Sequence, residues 1–154
     1  MPEDQPLWFL DTRVTIHSRQ GGNAGTVSVM EFANPHGGAP PMHVHHTEDE
    51  VFHILEGSLR FRIGEREVRA AAGDTVVGPR GVPHAFVADS PGGARTLVIS
   101  AVGDFERLVF GFGRPAEGPG LPPWDGPPTP EQQAALAEAC RRNNIEVLGP
   151  PMRL

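Results

Sequence analysis

Two stretches of the sequence decide the fold, and both combine histidine with regularly placed glycine. Residues 37–57 read GGAPPMHVHHTEDEVFHILEG, and residues 73–88 read GDTVVGPRGVPHAFVA. His43 and His45 lie two residues apart in a segment that is predicted to be a strand. Alternate side chains of a strand share one face, so these two imidazoles are expected to point the same way.

These stretches supply a candidate metal site. Glu50 follows the two histidines after a short polar turn, and His84 lies in the second stretch. Three neutral imidazoles and one ionised carboxylate are suitable ligands for a divalent transition metal at neutral pH. We therefore expect one iron, nickel, cobalt, manganese, copper or zinc ion per chain; the residue types do not distinguish among these metals.

The chain around these stretches has the pattern of a β protein. Short apolar segments alternate with turn residues, as at Gly21-Gly22-Asn23 and Ala72-Gly73-Asp74. Many short strands at spacings of roughly 8–12 residues predict a β-sandwich or β-barrel. The predicted strands are Val14–His17, Thr26–Phe32, Val51–Leu55, Leu59–Ile63, Glu67–Ala70, Thr75–Val77, His84–Val87, Thr96–Val102 and Leu108–Phe110.

The last third of the chain differs in composition. Glycine and proline are so frequent in residues 111–128 that neither a helix nor a central strand is expected there. Thr129, Pro130 and Gln132 then form the start signal of a helix that runs to Arg142. Leu136 and Cys140 are predicted to dock this helix on the barrel, and Gly149-Pro150-Pro151 to end the ordered chain.

We therefore divide the single domain into three parts: a barrel over residues 1–112, a Pro/Gly-rich arm over 113–128, and a helix with its tail over 129–154.

Composition excludes several classes of function. The 154 residues carry 19 acidic and 13 basic side chains, a net charge of −6, which argues against a nucleic-acid-binding protein. All the basic residues are arginine, so a Schiff-base or phosphate-loop lysine is excluded, and no tyrosine is present to act as acid or base. We find no transmembrane or signal segment and expect no membrane partner and a cytoplasmic protein.

The two stretches resemble the motifs of the cupin superfamily. Its first motif is matched at Gly37, His43, His45, Glu50 and Gly57, and its second at Gly73, Pro79, Gly81 and His84. Ala88 stands where the family usually has asparagine, which is not a metal ligand. The resemblance implies an all-β double-stranded β-helix, or jelly-roll barrel, here with an arm and one C-terminal helix.

A second likeness concerns activity. Residues 41–52 and 145–151 look like those of single-domain, quercetinase-like cupins. This likeness implies that His43, His45 and His84 hold the metal, while Glu50 serves as a ligand and as a catalytic base. Dioxygen would then add to a small aromatic, flavonol-like or enolic substrate in the barrel. Expected substrate contacts are the apolar side chains Met42, Phe52, Ile54, Phe61 and Phe86.

Other functions remain open. The same metal site could serve a non-oxidative isomerase, lyase or polyketide cyclase, or a non-catalytic module that binds a small molecule. An alternative metal site is a triad of two histidines and one carboxylate, formed by His46, Glu48 and His84. Arg95 would then be placed to hold a carboxylate of 2-oxoglutarate. The short spacing and the glycine pattern favour the first set of ligands.

The remaining polar residues are expected to be structural. His46 and His53 should face away from the ligands, and Glu48 and Asp49 are expected to be solvated acids of the turn. Cupins of this size resemble stable homodimers, so we expect a homodimer, with Trp124 on the arm as a candidate anchor.

Overall fold

In the computed structural model, which describes residues 5–20 and 26–154, two antiparallel β-sheets face each other. The elements of this described part are β1 (Leu7–Phe9), β2 (Thr12–Ser18), β3 (Ser28–Asn34), β4 (Pro41–His45), β5 (Glu50–Glu56), β6 (Ser58–Ile63), β7 (Arg66–Ala71), β8 (Thr75–Gly78), β9 (His84–Ala88), β10 (Ala94–Ser100), α1 (Asp104–Phe112), β11 (Arg114–Pro115), α2 (Pro130–Arg142) and β12 (Ile145–Pro151). The turn expected at Gly21-Gly22-Asn23 lies outside the described residues.

The two sheets differ in their number of strands. The seven-stranded sheet has the order β11-β1-β2-β3-β10-β5-β8, and the five-stranded sheet has the order β12-β4-β9-β6-β7. Strands β4 and β5 follow each other in the chain but lie in opposite sheets, so the turn between them crosses from one layer to the other. The predicted two-layer β-fold with a C-terminal helix is confirmed.

The core lies between the sheets and follows from the period-two pattern. Leu59, Phe61 and Ile63 on β6 point inward and are buried, whereas Arg62 between them is exposed. The Phe61 ring packs against Phe52 on the facing sheet, with ring centroids 5.0 Å apart. Such alternation puts one face of each strand in the core and leaves the other in water.

One predicted strand is wrong. Leu108–Phe110 lies within helix α1, not in a sheet. Three apolar residues in a row do not distinguish a strand from a buried helix turn. The wider pattern does so: Phe105, Leu108, Val109 and Phe112 follow the i, i+3, i+4, i+7 spacing of an amphipathic helix, and all four pack on the core.

The C-terminal helix is as predicted. The hydroxyl of Thr129 accepts a hydrogen bond from the backbone N–H of Gln132, whose side chain accepts one from the N–H of Thr129. Such a reciprocal box contributes about 1 kcal/mol to helix stability. Leu136 and buried Cys140 face the core, as the sequence predicts.

The tail does not end where the prolines predict. Residues 145–151 form β12, which pairs with β4 through Ile145 opposite His45 and Val147 opposite His43. The register shifts twice, at Gly149 and before Pro151, as expected where prolines lie at a sheet edge. The tail is therefore an edge strand of the sheet that carries two candidate ligands.

The Pro/Gly-rich arm is irregular apart from β11, which pairs with β1. The Trp8 indole N–H donates to the carbonyl of Gly120 at 3.0 Å and ties the arm to the barrel. Trp124 does not pack on the barrel, since 73% of it is exposed. Neither α1 nor α2 has the length and apolar character needed to cross a bilayer.

Candidate metal centre

Strand β4 presents two imidazoles to the inside of the barrel. His43 and His45 alternate with Val44, so both rings project to the same side. His43 lies opposite His84 of β9 in the ladder, and this pairing places a third imidazole beside them. The His45 and His84 rings are nearly parallel, with centroids 5.4 Å apart.

Glu50 completes the group from the other sheet. It is the first residue of β5, and its carboxylate Oε2 lies 2.9 Å from Nε2 of His84 and 3.0 Å from Nε2 of His45. One ligand atom from each of the four residues lies within 4.8 Å of all the others. This spacing fits a single ion held between the four side chains.

The backbone orients two of the rings. Nδ1 of His43 lies 2.8 Å from the carbonyl oxygen of Pro41, and Nδ1 of His84 lies 3.2 Å from that of Val82. An Nδ1–H that donates to a carbonyl leaves Nε2 as a free lone pair, which is the tautomer that a metal requires.

Glycine makes room for the His84 ring. A Cβ atom on Gly78 of β8 would lie 2.9 Å from Cε1 of His84, closer than a van der Waals contact allows. The imidazole therefore packs directly over the backbone of β8, and any larger residue would displace it.

The charges inside the group are strongly coupled. Burial lowers the pKa of His43 to about 4, assisted by neighbouring His84, so this imidazole is neutral. Burial also opposes charge on Glu50 and His45, but their mutual attraction outweighs it. The pKa of Glu50 is lowered well below its usual value and that of His45 is raised.

The two ring nitrogens of His45 give independent support for metal binding by the four residues. Both ring nitrogens of His45 are buried and make no hydrogen bond of good geometry to the described residues. Buried polar atoms without partners are rare in folded proteins. An ion between His43, His45, Glu50 and His84 would satisfy the Nε2 atom of His45, so these residues could hold a divalent transition metal.

Glu48 has a different place from the one expected. It is not a solvated turn acid: only 2% of it is exposed. Its carboxylate accepts hydrogen bonds from the backbone N–H groups of Gly103 and Phe105 at the start of α1, at 3.2 and 2.6 Å. Its Oε1 also lies 3.9 Å from Nδ1 of His45. The positive helix N-terminus stabilises the buried charge, a contact between residues about 55 positions apart that local sequence does not reveal.

A mostly apolar cavity adjoins the metal ligands. His43, His45 and Glu50 form part of its wall. Aromatic side chains form much of the rest, with Phe32 and Phe105 stacked at a centroid distance of 5.8 Å and Phe52 packed edge-on against Phe86 at 5.7 Å. Leu136 and Cys140 of α2 close one side.

Two of the five expected substrate contacts, Phe52 and Phe86, line this cavity. The other three do not. Met42 alternates with His43 on β4 and so faces the other side of the sheet. Ile54 and Phe61 are fully buried in the core, where Phe61 lies behind Phe52 and Phe86.

The alternative triad is not assembled. His46 points outward to Glu146, at 3.0 Å, while Glu48 binds α1. Arg95 lies on the outer face, paired with Glu31 and Glu56. As expected, His53 faces away from the ligands and binds the hydroxyl of Thr75, and Asp49 is an exposed residue of the turn.

Sequence reasoning missed several residues of the site. Phe32 and Phe105 on the cavity wall give no local signal beyond apolar periodicity. Asn34 and Thr96 also line the cavity, and so does Asp11, whose pKa is raised by burial. Strand alternation alone could have placed Thr96 inward, since Val98 shares its face.

Comparisons with known proteins agree with this geometry. Residues 30–100 match the family model of the cupin domain. Comparison with curated proteins gives no sequence match. The fold resembles a predicted oxalate decarboxylase from Thermotoga maritima, with a TM-score of 0.58 and 18% identity over 64% of this chain and 93% of that one.

Two further solved structures share the fold. One is KdgF from a Halomonas species, with a TM-score of 0.55 and 16% identity over 66% of this chain and 90% of that chain. The other is an RmlC-like cupin from Shewanella frigidimarina, with a TM-score of 0.54 and 18% identity over 68% of this chain and 92% of that chain. The segment that carries His43, His45, Glu50 and His84, residues 30–100, therefore matches the cupin domain in sequence and shares its fold with solved cupins.

Proposed function

We propose that the protein is a metal-dependent dioxygenase of a small aromatic, flavonol-like or enolic substrate, in the manner of quercetinase-like cupins. One observation carries the proposal: the buried carboxylate of Glu50 faces both the imidazoles and an aromatic-walled cavity. That arrangement supplies a metal ligand and a base at the place where an apolar substrate would bind.

The ligand residues have separate tasks. His43, His45 and His84 would hold the ion, which when bound would supply Lewis acidity to the substrate. Glu50 is the only carboxylate among the four residues. Its Oε2 lies 3.0 Å from Nε2 of His45 and 2.9 Å from Nε2 of His84, so it belongs to the same ligand group as the imidazoles.

Glu50 is also the carboxylate placed to act as the base. A substrate hydroxyl at the inner end of the cavity would give its proton to the Glu50 carboxylate, leaving an electron-rich oxyanion and ring. Both atoms of dioxygen would then add to carbons of that ring, a carbon–carbon bond of the ring would break, and the proton held by Glu50 would return to the product. Phe52 and Phe86 exclude water from this position and present flat apolar surfaces to a planar substrate.

A non-oxidative enzyme is the second candidate. The same buried base could transfer a proton within a substrate without consuming dioxygen, as an isomerase, lyase or polyketide cyclase requires. The similar fold described as a predicted oxalate decarboxylase, a lyase by name, supports this candidate only at the level of fold. A non-catalytic small-molecule binder would use the cavity without turnover.

Oxygen uptake tests the proposal. The protein, purified without a His-tag and loaded in turn with iron, nickel, cobalt, manganese, copper or zinc, is mixed with quercetin, catechols or cyclic 1,3-diketones in an oxygen electrode. We expect uptake with at least one pair, and isotopically labelled dioxygen should place both of its atoms in the products, including any small fragment released when the ring opens. Substrate conversion without oxygen uptake would overturn the dioxygenase and favour the second candidate.

Glu50→Gln separates an enzyme from a binder. The variant should lose at least about a hundredfold in turnover, since a general base contributes roughly 10²–10⁴-fold. Asp49→Asn, one residue away in the exposed turn, is the matched control and should keep full activity. Equal turnover by both variants would remove Glu50 from the mechanism.

We also propose that the chain forms a homodimer through the outer face of the seven-stranded sheet. Val29, Ile99, Val51 and Val77 lie side by side across β3, β10, β5 and β8 on that face. The first three are partly exposed, and Val77 is 45% exposed. A continuous apolar row on a sheet surface is typical of a contact with another protein surface.

A further inference from the structure

We infer that the cavity contains a second, polar subsite, formed by Asn34 and Thr96, which binds a neutral carbonyl-type oxygen of the ligand. This inference deepens the proposed function, because it assigns a chemical class to the molecule that occupies the same cavity. A ligand of this class carries two oxygen functions, one for the metal centre and one for this subsite.

The first support is a pair of buried polar atoms without partners. Asn34 and Thr96 are 5% and 1% exposed, and both line the cavity. Nδ2 of Asn34 and Oγ1 of Thr96 have no hydrogen-bond partner among the residues that the structure describes. Since buried polar atoms in folded proteins are nearly always bonded, these two are free to bond a ligand.

The second support is that the two side chains share one wall. Asn34 lies opposite Ala94 in the β3–β10 ladder, and Thr96 is two residues further along β10 on the same face. Residues in this diagonal relation are about 7–8 Å apart at their Cα atoms. A single oxygen atom that enters between them can therefore accept hydrogen bonds from both side chains.

The charge of the cavity selects a neutral oxygen over a carboxylate. No arginine is among the cavity-lining residues that the structure describes, and Asp11 lies on the wall. A ligand carboxylate at this subsite would share the cavity with that acid and would have no arginine to balance its charge, at a cost that burial increases. A ketone, aldehyde, ester or enone oxygen accepts the same hydrogen bonds without this cost.

The position of the subsite sets the shape of the ligand. Thr96 lies opposite Ile54, and Ile54 is four residues along β5 from Glu50. Four residues of a strand span about 13 Å, so the two polar regions lie at different ends of the cavity. The ligand therefore carries its two oxygen functions at opposite ends of an apolar skeleton.

The space available limits that skeleton. The region open to the centres of water-sized molecules is about 80 Å³. This region is well above the roughly 10–15 Å³ that one water needs, so it admits a small organic molecule. A molecule of this size with an acceptor oxygen on one side matches the aromatic walls formed by Phe32, Phe105, Phe52 and Phe86.

A matched pair of probes tests the subsite without any metal. Acetophenone and isopropylbenzene have the same number of non-hydrogen atoms, but only the first carries a carbonyl oxygen. Their affinities are measured by ligand-detected NMR on the metal-free protein and on Thr96→Val, which replaces the hydroxyl with a methyl group. We expect the variant to weaken acetophenone binding roughly five- to tenfold and to change isopropylbenzene binding less than about twofold.

A second variant and a control keep the result interpretable. Asn34→Leu removes the amide at similar volume and should act in the same direction as Thr96→Val. Ser100 lies on the same face of β10, and its buried hydroxyl also lacks a described partner, but it does not line the cavity. Ser100→Ala should therefore leave the ratio of the two affinities unchanged.

The thermal midpoint provides a readout of a different kind. Removing an unpartnered hydroxyl should leave ligand-free Thr96→Val at least as stable as the wild type, so that any loss of acetophenone binding reflects the subsite and not misfolding. An affinity ratio that is the same in the wild type and both cavity variants would overturn the subsite. Failure of the wild type to bind acetophenone up to its solubility limit would also overturn it.

The metal-free design separates this inference from the proposed function. If the protein binds no metal and consumes no oxygen, but Thr96→Val abolishes the preference for acetophenone, the proposed function is wrong and the subsite stands. If oxygen uptake is observed but the affinity ratio does not depend on Thr96 or Asn34, the subsite is wrong and the proposed function stands.

Discussion

The carboxylate of Glu48 lies 3.9 Å from Nδ1 of His45 while it accepts hydrogen bonds from the first N–H groups of α1. It thus connects the candidate metal centre to the helix that carries Phe105, one of the aromatic residues of the cavity wall. Phe105, the second residue of that helix, packs edge-on against the His45 ring at a centroid distance of 5.6 Å. The position of one imidazole therefore depends on α1 in two ways: directly through Phe105, and indirectly through Glu48, whose carboxylate α1 holds in place.

Glu48→Gln should weaken metal binding and destabilise the fold together. The amide cannot accept both helix N–H bonds as a carboxylate does, and it removes the negative charge beside His45. Loss of such a supporting group typically lowers metal affinity about 10–100-fold and, when buried, costs about 1–3 kcal/mol of stability. Competition with a chelator and urea unfolding measure the two effects. Asp49→Asn, in the same turn, should change neither; equal behaviour of the two variants would contradict this role.

His84→Ala should lose metal binding entirely or nearly so. The ring supplies one of the four candidate ligand atoms and packs over Gly78, so its loss leaves an incomplete ligand set. Elemental analysis after dialysis against a slight excess of metal measures the stoichiometry. His46→Ala is the control, since His46 is paired with Glu146 at the surface. Full occupancy in His84→Ala would show that His84 is not a ligand.

Metal binding should release protons and strengthen as the pH rises. In the metal-free protein burial opposes the charge on His45, but Glu50 and Glu48 outweigh it and raise the pKa of His45. This imidazole is therefore protonated near pH 7 and must lose its proton to bind a metal. Calorimetry in buffers of different ionisation enthalpy should detect release of about one proton. Affinity that stays constant between about pH 6 and 9 would contradict this coupling.

Val51→Arg should convert a dimer into a monomer. Val51 lies in the middle of the apolar row on the outer face, between Ile99 and Val77, and an arginine there would bury a charge in the proposed contact. Light scattering after gel filtration should give twice the chain mass for the wild type and one chain mass for the variant. Glu67→Arg, on the exposed face of the other sheet, should remain dimeric. A monomeric wild type would contradict the proposed interface.

Cys140 should react slowly with thiol reagents in the folded protein. Burial raises the pKa of its thiol to about 11, so almost no thiolate exists near pH 8, and thiolate is the reactive form. Labelling with a disulfide reagent should be much slower than in urea, and it should accelerate as the pH is raised toward that value. Equal rates in the folded and unfolded states would mean that the thiol is accessible and ionisable.

Some features could be predicted from the sequence because they depend on local geometry. The period of two fixes that His43 and His45 share a face, whatever the strand pairs with. The Thr129–Gln132 capping box is complete within four residues, so it starts α2 as predicted. The motif spacing likewise indicated Glu50 and His84 as the partners of the two histidines, which the structure brings together.

Other features depend on contacts between distant parts of the chain. From the sequence, Glu48 is expected to be a solvated acid. It can be buried because α1, some 55 residues later, provides N–H groups that donate hydrogen bonds to its carboxylate. The prolines of the tail predict that the ordered chain ends there. The tail instead pairs with the free edge of β4 and forms β12.

The sequence by itself therefore determined the candidate ligand set and the two-layer β-fold, since alternation and motif spacing act within a few residues. Only the tertiary structure decided which side chains line the cavity beside those ligands. Asn34 and Thr96 are ordinary strand residues in the sequence, and their importance comes from being buried on a shared wall without partners. Whether a polar group is satisfied depends on every neighbour that the fold brings to it, and no local pattern encodes that.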